Sequence, residues 1–163
     1  MATMKQTVDS LTAFSAASNL NSLANNTAKP LGEVDNSTND YPSAKLHLIL
    51  NLAVSGQVMG GAVEIYLISK IEDNSLNSDW SDQINADDTN DVSGNIYNAQ
   101  LIHTLRADEV MDAVDITWNC NDLSALVGSD LPPYWTLVIF NKTGAAFVSS
   151  GHTAQYAHVS YAT

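Results

Sequence analysis

The sequence predicts an all-β fold, an antiparallel β-sandwich or jelly roll that follows an extended N-terminal arm. Three observations carry that prediction. Short runs of alternating apolar and polar residues recur from Lys45 onward. Clusters of Gly, Pro, Asn and Ser separate them, as turn residues separate strands. No helical pattern alternates with the runs, which argues against a parallel βα sheet.

Residues 1–41 are rich in Ser, Asn, Ala and Thr and poor in large apolar side chains. Leu11, Phe14, Leu20 and Leu23 are spaced with neither helical nor strand period. Such a segment buries little apolar surface by itself. It reads as an extended arm that orders on a neighbouring surface, with those four residues as its anchors, while 42–163 form the β-sandwich domain. A chain lacking residues 1–40 is then expected to keep its sandwich and to associate more weakly with its partners.

The first strand of the domain is "KLHLILNLAV", with Leu46, Leu48, Leu50, Leu52 and Val54 on one face and Lys45, His47, Asn51 and Ala53 on the other, Ile49 being the single exception. Period two marks a half-buried strand. "SGQVMGG" supplies turn residues, and "AVEIYLIS" returns with Val63, Ile65 and Leu67 on one face. The pair reads as a β-hairpin. "NIYNAQLIHTL" places Tyr97, Ala99, Leu101, His103 and Leu105 together, and "AVDITWN" opposes Val114, Ile116 and Trp118 to Asp115 and Thr117. "LPPYWTLVIFN" is almost continuously apolar from Tyr134 to Phe140, the pattern of a strand covered on both faces. "AAFVSS" and "TAQYAHVSYA" read as two final strands separated by Gly151. Residues 106–112 and 120–127 have room for a helical turn.

With 163 residues the chain fits one domain. Six basic residues against 18 acidic ones give a net charge of −12, which disfavours nucleic acid and anionic membrane surfaces as partners. Cys120 is the single cysteine, so neither an intrachain disulfide nor a Cys-based zinc site is available. The N-terminus makes a poor signal peptide, and synthesis in a cytoplasm is expected.

Catalytic signatures do not emerge. Gly56-Gln57-Val58-Met59-Gly60-Gly61 lacks the Lys-Ser/Thr of a phosphate loop, and His47, His103, His152 and His158 have no metal-ligand spacing. Cys120 has no neighbouring cation to lower its pKa. The stretch from Asn77 to Asn95 holds five aspartates and no basic residue. Counted from Asp87, the sixth and twelfth positions are Val92 and Asn98, where a calcium EF-hand requires Gly and Glu. A solvated connection whose charges protect a sheet edge is the reading adopted, with Trp80 and Ile84 folding it back onto the sandwich. No metal, cofactor or enzymatic activity is expected.

The order of the pieces is informative. An Asn-rich N-terminal segment precedes the strand start Asp40-Tyr41-Pro42-Ser43-Ala44. Ile65-Tyr66-Leu67 follows, and Leu131-Pro132-Pro133 precedes Asn141-Lys142-Thr143-Gly144, read as a hairpin turn. Over about residues 20–160 this resembles small virion structural proteins of tailed bacteriophages, of the capsid decoration (cement) type. The resemblance implies a non-enzymatic protein on the capsid surface, a homo-trimer whose partner is the major capsid protein. It implies no catalytic residues. The alternative it leaves open is a head-fibre or tail-associated module that engages a host glycan, with Trp80, Trp135, Tyr156 and Tyr161 as candidate stacking residues.

Overall fold

The computed structural model describes residues 5–53, 55–70, 80–81, 91–94, 96–107 and 115–162. Ten strands occur among them: β1 Lys5–Val8, β2 Thr12–Ala13, β3 Thr27–Pro30, β4 Val34–Asp35, β5 Ser43–Asn51, β6 Ala62–Lys70, β7 Gln100–Arg106, β8 Asp115–Cys120, β9 Tyr134–Lys142 and β10 Thr153–Ala162. One short helix, α1 (Leu123–Val127), lies between β8 and β9. The strands form two antiparallel sheets that pack face to face. The first has the order β1-β10-β5-β8, with β2 also on β10; the second has the order β3-β9-β6-β7, with β4 also on β9.

The pairings define the topology. β1 pairs with β10, β3 with β9, β5 with β8 and β6 with β7, all antiparallel. The chain is therefore one long hairpin rolled around a core, closed at the β6–β7 connection. That is the jelly-roll arrangement, in which two Greek keys share two sheets. β1 and β2 count as one interrupted strand. Between the pairs Val8↔Val159 and Thr12↔Tyr156, four residues advance against three. The same slip separates Pro30↔Val138 from Val34↔Trp135. There Gly32 takes φ +96°, and a Cβ on it would meet the Ser15 side chain and lie 2.9 Å from the Ala16 nitrogen. Only glycine allows that approach.

The alternation expected for β5 holds: Leu46, Leu48, Leu50 and Leu52 are buried, while His47, Ile49 and Asn51 are half-buried on the outer face. In β9 every residue from Tyr134 to Ile139 is buried, because both faces of its sheet are covered. Inside, Trp135, Leu137 and Ile139 join the β5 leucines. Outside, Ala28, Ile68 and Val138 pack with Trp80 and Val92 in a second apolar cluster.

Four expectations change. β5 and β6 are not a hairpin, since they lie in opposite sheets. The turn chemistry of residues 55–61 serves a crossing between sheets. The same holds for Asn141–Gly144, because β9 and β10 also lie in opposite sheets. "AAFVSS" is not a strand; it is part of that crossing, with a single bridge between Phe147 and Leu52. In β7 the register shifts between Ile65↔His103 and Tyr66↔Leu101, so Ile102 is an extra residue. This bulge turns Ile102 inward and leaves Leu101 50% exposed, breaking the single face expected from Leu101 to Leu105.

The greatest difference concerns residues 1–41. Over the described residues this segment supplies β1 to β4, the first part of the outgoing half of the roll. Phe14, Leu20, Leu23, Leu31 and Val34 sit in the same core as Leu48 and Leu50. The segment is ordered by its own chain. Its polar residues are compatible with burial because they are bonded to backbone: Asn19 Nδ2 donates to the Pro30 carbonyl at 2.8 Å, and Asn36 caps the turn to Tyr41 through both side-chain atoms.

Candidate functional site

The residues singled out as arm anchors divide three to one. Phe14, Leu20 and Leu23 are 3%, 0% and 2% exposed and are committed to the core, so they are not presented to a partner. Phe14 meets Trp135 edge-on, with ring centroids 5.9 Å apart, and lies 5.0 Å from Tyr156. Leu11 is 52% exposed. It lies on the extra-residue link between β1 and β2. With Val8 it lines a shallow depression of about 290 Å³ on the outer face of the first sheet. Lys45, His47 and Asn119 also line it, and His47 Nδ1 is 2.6 Å from Asn119 Oδ1.

The candidate stacking aromatics are largely committed as well. Trp135 is fully buried and Trp80 is 5% exposed, while Tyr156 packs against the main core; Tyr161 alone, at 43%, faces outward. Sequence reasoning missed Tyr97 as a candidate; it is 86% exposed within the β6–β7 connection. Its position just before a bulged strand left its orientation unreadable.

The acidic connection folds back as expected at Trp80. Trp80 bridges Lys70, and the Ser81 amide donates to the Ser69 carbonyl at 2.7 Å. Ile84, Asp87 and Asp88 lie outside the described residues. Asp91 reaches the opposite edge of the second sheet, where its Oδ1 accepts the Ala28 amide at 3.1 Å and the Ser93 amide at 2.9 Å. The Val92 amide donates to the Ala28 carbonyl at 2.9 Å. Burial alone would raise the Asp91 pKa, but those amides and nearby Lys29 outweigh it and hold the carboxyl below its ordinary value.

Lys70 was not singled out by the sequence. It ends β6 on the outer face, 5% exposed, with its Nζ 2.6 Å from Glu33 and about 5 Å from the ring centres of Trp80 and Tyr134. This group anchors the connection to the sheet. At the other end of β6, Lys142 Nζ lies 2.7 Å from Glu64, which also accepts the Tyr66 hydroxyl at 2.5 Å.

The remaining reactive side chains sit in packed settings. His103 stacks on Trp118, with centroids 4.7 Å apart, and burial lowers its pKa. Burial likewise lowers that of His158, partly offset by Asp9, and its ring stacks on Tyr41 at 4.3 Å. Cys120 ends β8 buried, and desolvation raises its thiol pKa, the opposite of nucleophile activation. Among the described residues, no group of three or more His, Cys, Asp or Glu side chains has metal-binding geometry. No family model matches the chain, and no curated protein or solved structure matches it either.

Proposed function

We propose that this chain is a non-enzymatic structural component of a tailed-phage particle: a capsid decoration protein that binds the outer capsid surface, contacts the major capsid protein and stabilises the head as a homo-trimer. The observation that carries the reading is the jelly-roll strand order combined with the fate of the aromatic side chains. Jelly rolls recur in viral capsid components and in lectins, so the fold alone does not choose between a structural part and a sugar binder. A sugar platform needs exposed rings. Trp80, Trp135 and Tyr156 instead fill the two apolar clusters, which leaves Tyr97 and Tyr161 as single exposed rings. The sequence resemblance adds to this reading, and the −12 charge suits a protein held by specific contacts and kept from nucleic acid.

The test is the stoichiometry and location of the protein in purified particles, by quantitative mass spectrometry and cryo-EM. A copy number in fixed proportion to the major capsid protein, with density on the head surface, is expected. A few copies at the neck, tail or a fibre would overturn the decoration role in favour of a host-binding module.

A further inference from the structure

The β9–β10 crossing ends in a histidine whose two ring nitrogens are both bonded to backbone. The Asn51 amide donates to His152 Nδ1 at 3.1 Å, and His152 Nε2 lies 2.9 Å from the Val148 carbonyl oxygen. A carbonyl oxygen only accepts, so Nε2 holds a proton. An amide N–H only donates, so Nδ1 holds none. The two bonds fix the tautomer and the charge together: the ring that fits here is neutral.

Three segments meet at this ring. Asn51 ends β5, and Val148 lies on the crossing, where its amide donates to the Asn51 carbonyl at 3.2 Å. The Val148 carbonyl also accepts the Ser22 amide at 2.9 Å, from the connection between β2 and β3. Phe147 is buried, bridges Leu52, and has its ring centre 5.6 Å from that of His152. Gly151 allows so close an approach. It takes φ +89°, and a Cβ on it would lie 3.0 Å from Asn51 Nδ2.

We propose that His152 is an acid-sensitive latch: a proton on Nδ1 sets one N–H against another, breaks the bond from Asn51 and frees the β9–β10 crossing from the end of β5. The opening is local, because β10 pairs with β5 only from Thr153 onward and that ladder does not use the ring. Histidine suits the task, since it is the side chain that ordinarily changes charge between pH 5 and 8. The charge around the ring determines whether mild acid is enough. Residues 14–26, 52–61 and 143–152 contain no Asp, Glu, Lys or Arg. In the strand register the charged residue beside the site is Asp115 of β8, opposite Asn51. Its carboxylate favours a charged ring, but it is exposed, and water weakens the attraction. The two backbone bonds act the other way, at contact distance.

The experiment has two readouts on the full chain. The first is urea unfolding of wild type and His152→Asn at about pH 7.5 and about pH 5.5. The Asn side chain can still accept the Asn51 amide but cannot take up a proton, and the comparison cancels the other three histidines. An unfolded histidine is protonated below about pH 6.5, so the wild-type unfolding constant should rise by up to about tenfold relative to the variant by the lower pH. The second readout is nuclear magnetic resonance of the wild type, which needs no variant to fold. Ring nitrogen shifts should show the proton on Nε2 at about pH 7.5, and the Asn51 and Phe147 amides should exchange faster as the ring becomes charged. The inference is overturned by a wild-type to variant ratio that is equal at both pH values. It is also overturned by a neutral ring with its proton on Nδ1, or by a ring that takes up its second proton while the Asn51 amide stays protected. The last result would mean that carboxylates, Asp115 or Asp108, Glu109 and Asp112 outside the described residues, accommodate the charged ring in place. The latch belongs to the chain alone, so none of these results bears on the capsid reading.

Discussion

The inner and outer faces of the second sheet are both covered, but by different kinds of chain. Inside, Val63, Ile65, Leu137 and Ile139 meet β5 of the facing sheet and residues Phe14 to Val34, segments remote in sequence. Outside, Ile68 and Val138 meet Trp80, Val92 and Ile96 of the connection that leaves β6 and returns as β7. The inner face thus holds the two halves of the roll together. The outer face is closed by a local excursion, fastened by the Lys70 group at one point and by Asp91 at another. One sheet can therefore belong to a global unit on one side and to a separable local unit on the other.

The largest effect that probes this contrast is removal of residues 1–40. It deletes β1 to β4 and takes Leu20, Leu23, Leu31 and Val34 out of the core. Each such side chain is worth about 1.5–3 kcal/mol when buried. Together they rival the whole stability of a domain, about 5–15 kcal/mol. The truncated chain is expected to show no cooperative melting and no near-ultraviolet circular dichroism. A truncated chain that melts like wild type would restore the view of this segment as an independent arm.

Next in size is Leu48→Ala, and Leu50→Ala with it. Both side chains are fully buried between the sheets, and each substitution should cost about 2–5 kcal/mol in urea unfolding. Lys45→Ala, on the outer face of the same strand, should be nearly silent. Equal small effects at all three positions would break the register of β5.

These strands were readable because one physical cause, burial on one or both faces, wrote each pattern. β5 alternates because one face looks into the core, and Tyr134 to Ile139 run apolar because two faces are covered. The N-terminal segment 1–41 was not readable for the opposite reason. Its strands are two to four residues long, too short to show a period, and β1 is exposed throughout. Asn19 and Asn36 look like loop residues, yet backbone bonds allow them to be buried. Glycine- and asparagine-rich links signalled turns correctly, but turn chemistry does not say whether the chain returns to its own sheet or crosses to the other. The bulge at Ile102 has no local signature, so the orientation of β7 was lost. Of the proposed anchors, the apolar character of Phe14, Leu20 and Leu23 was legible, but their partner was their own chain.

Trp80→Ala should fall below Leu48→Ala despite the larger side chain. Its loss opens the outer cluster while the roll stays closed, so a cost of roughly 1–2 kcal/mol is expected, within the ordinary range for single substitutions. Hydrogen exchange separates the two cases. The Val92 amide, bonded to Ala28, should exchange faster in Trp80→Ala, whereas amides of β5 should not. A cost equal to that of Leu48→Ala, with β5 exchanging faster too, would show that both faces unfold as one unit.

The smallest effect concerns the far fastening of the same excursion. Asp91 Oδ1 takes two backbone amides, and Asp91→Ala should cost about 1 kcal/mol at neutral pH, the net worth of an ordinary hydrogen-bond loss near the surface. The sign with pH follows from the lowered pKa. The carboxylate is favoured in the folded chain, so its contribution is complete above the unfolded value near 4 and disappears as the pH falls through the lower folded value. The stability gap between wild type and Asp91→Ala should therefore be flat from about pH 5 to 7 and should close below about pH 4. Because two backbone amides engage this carboxylate, EDTA should leave the wild-type melting temperature within about 2 °C, where a well-occupied calcium site would contribute about 2.7 kcal/mol. A gap that persists at low pH would mean that the Ala28 and Ser93 bonds do not stabilise the charged form. A drop in EDTA that calcium restores would transfer the fastening of this edge from backbone amides to a metal.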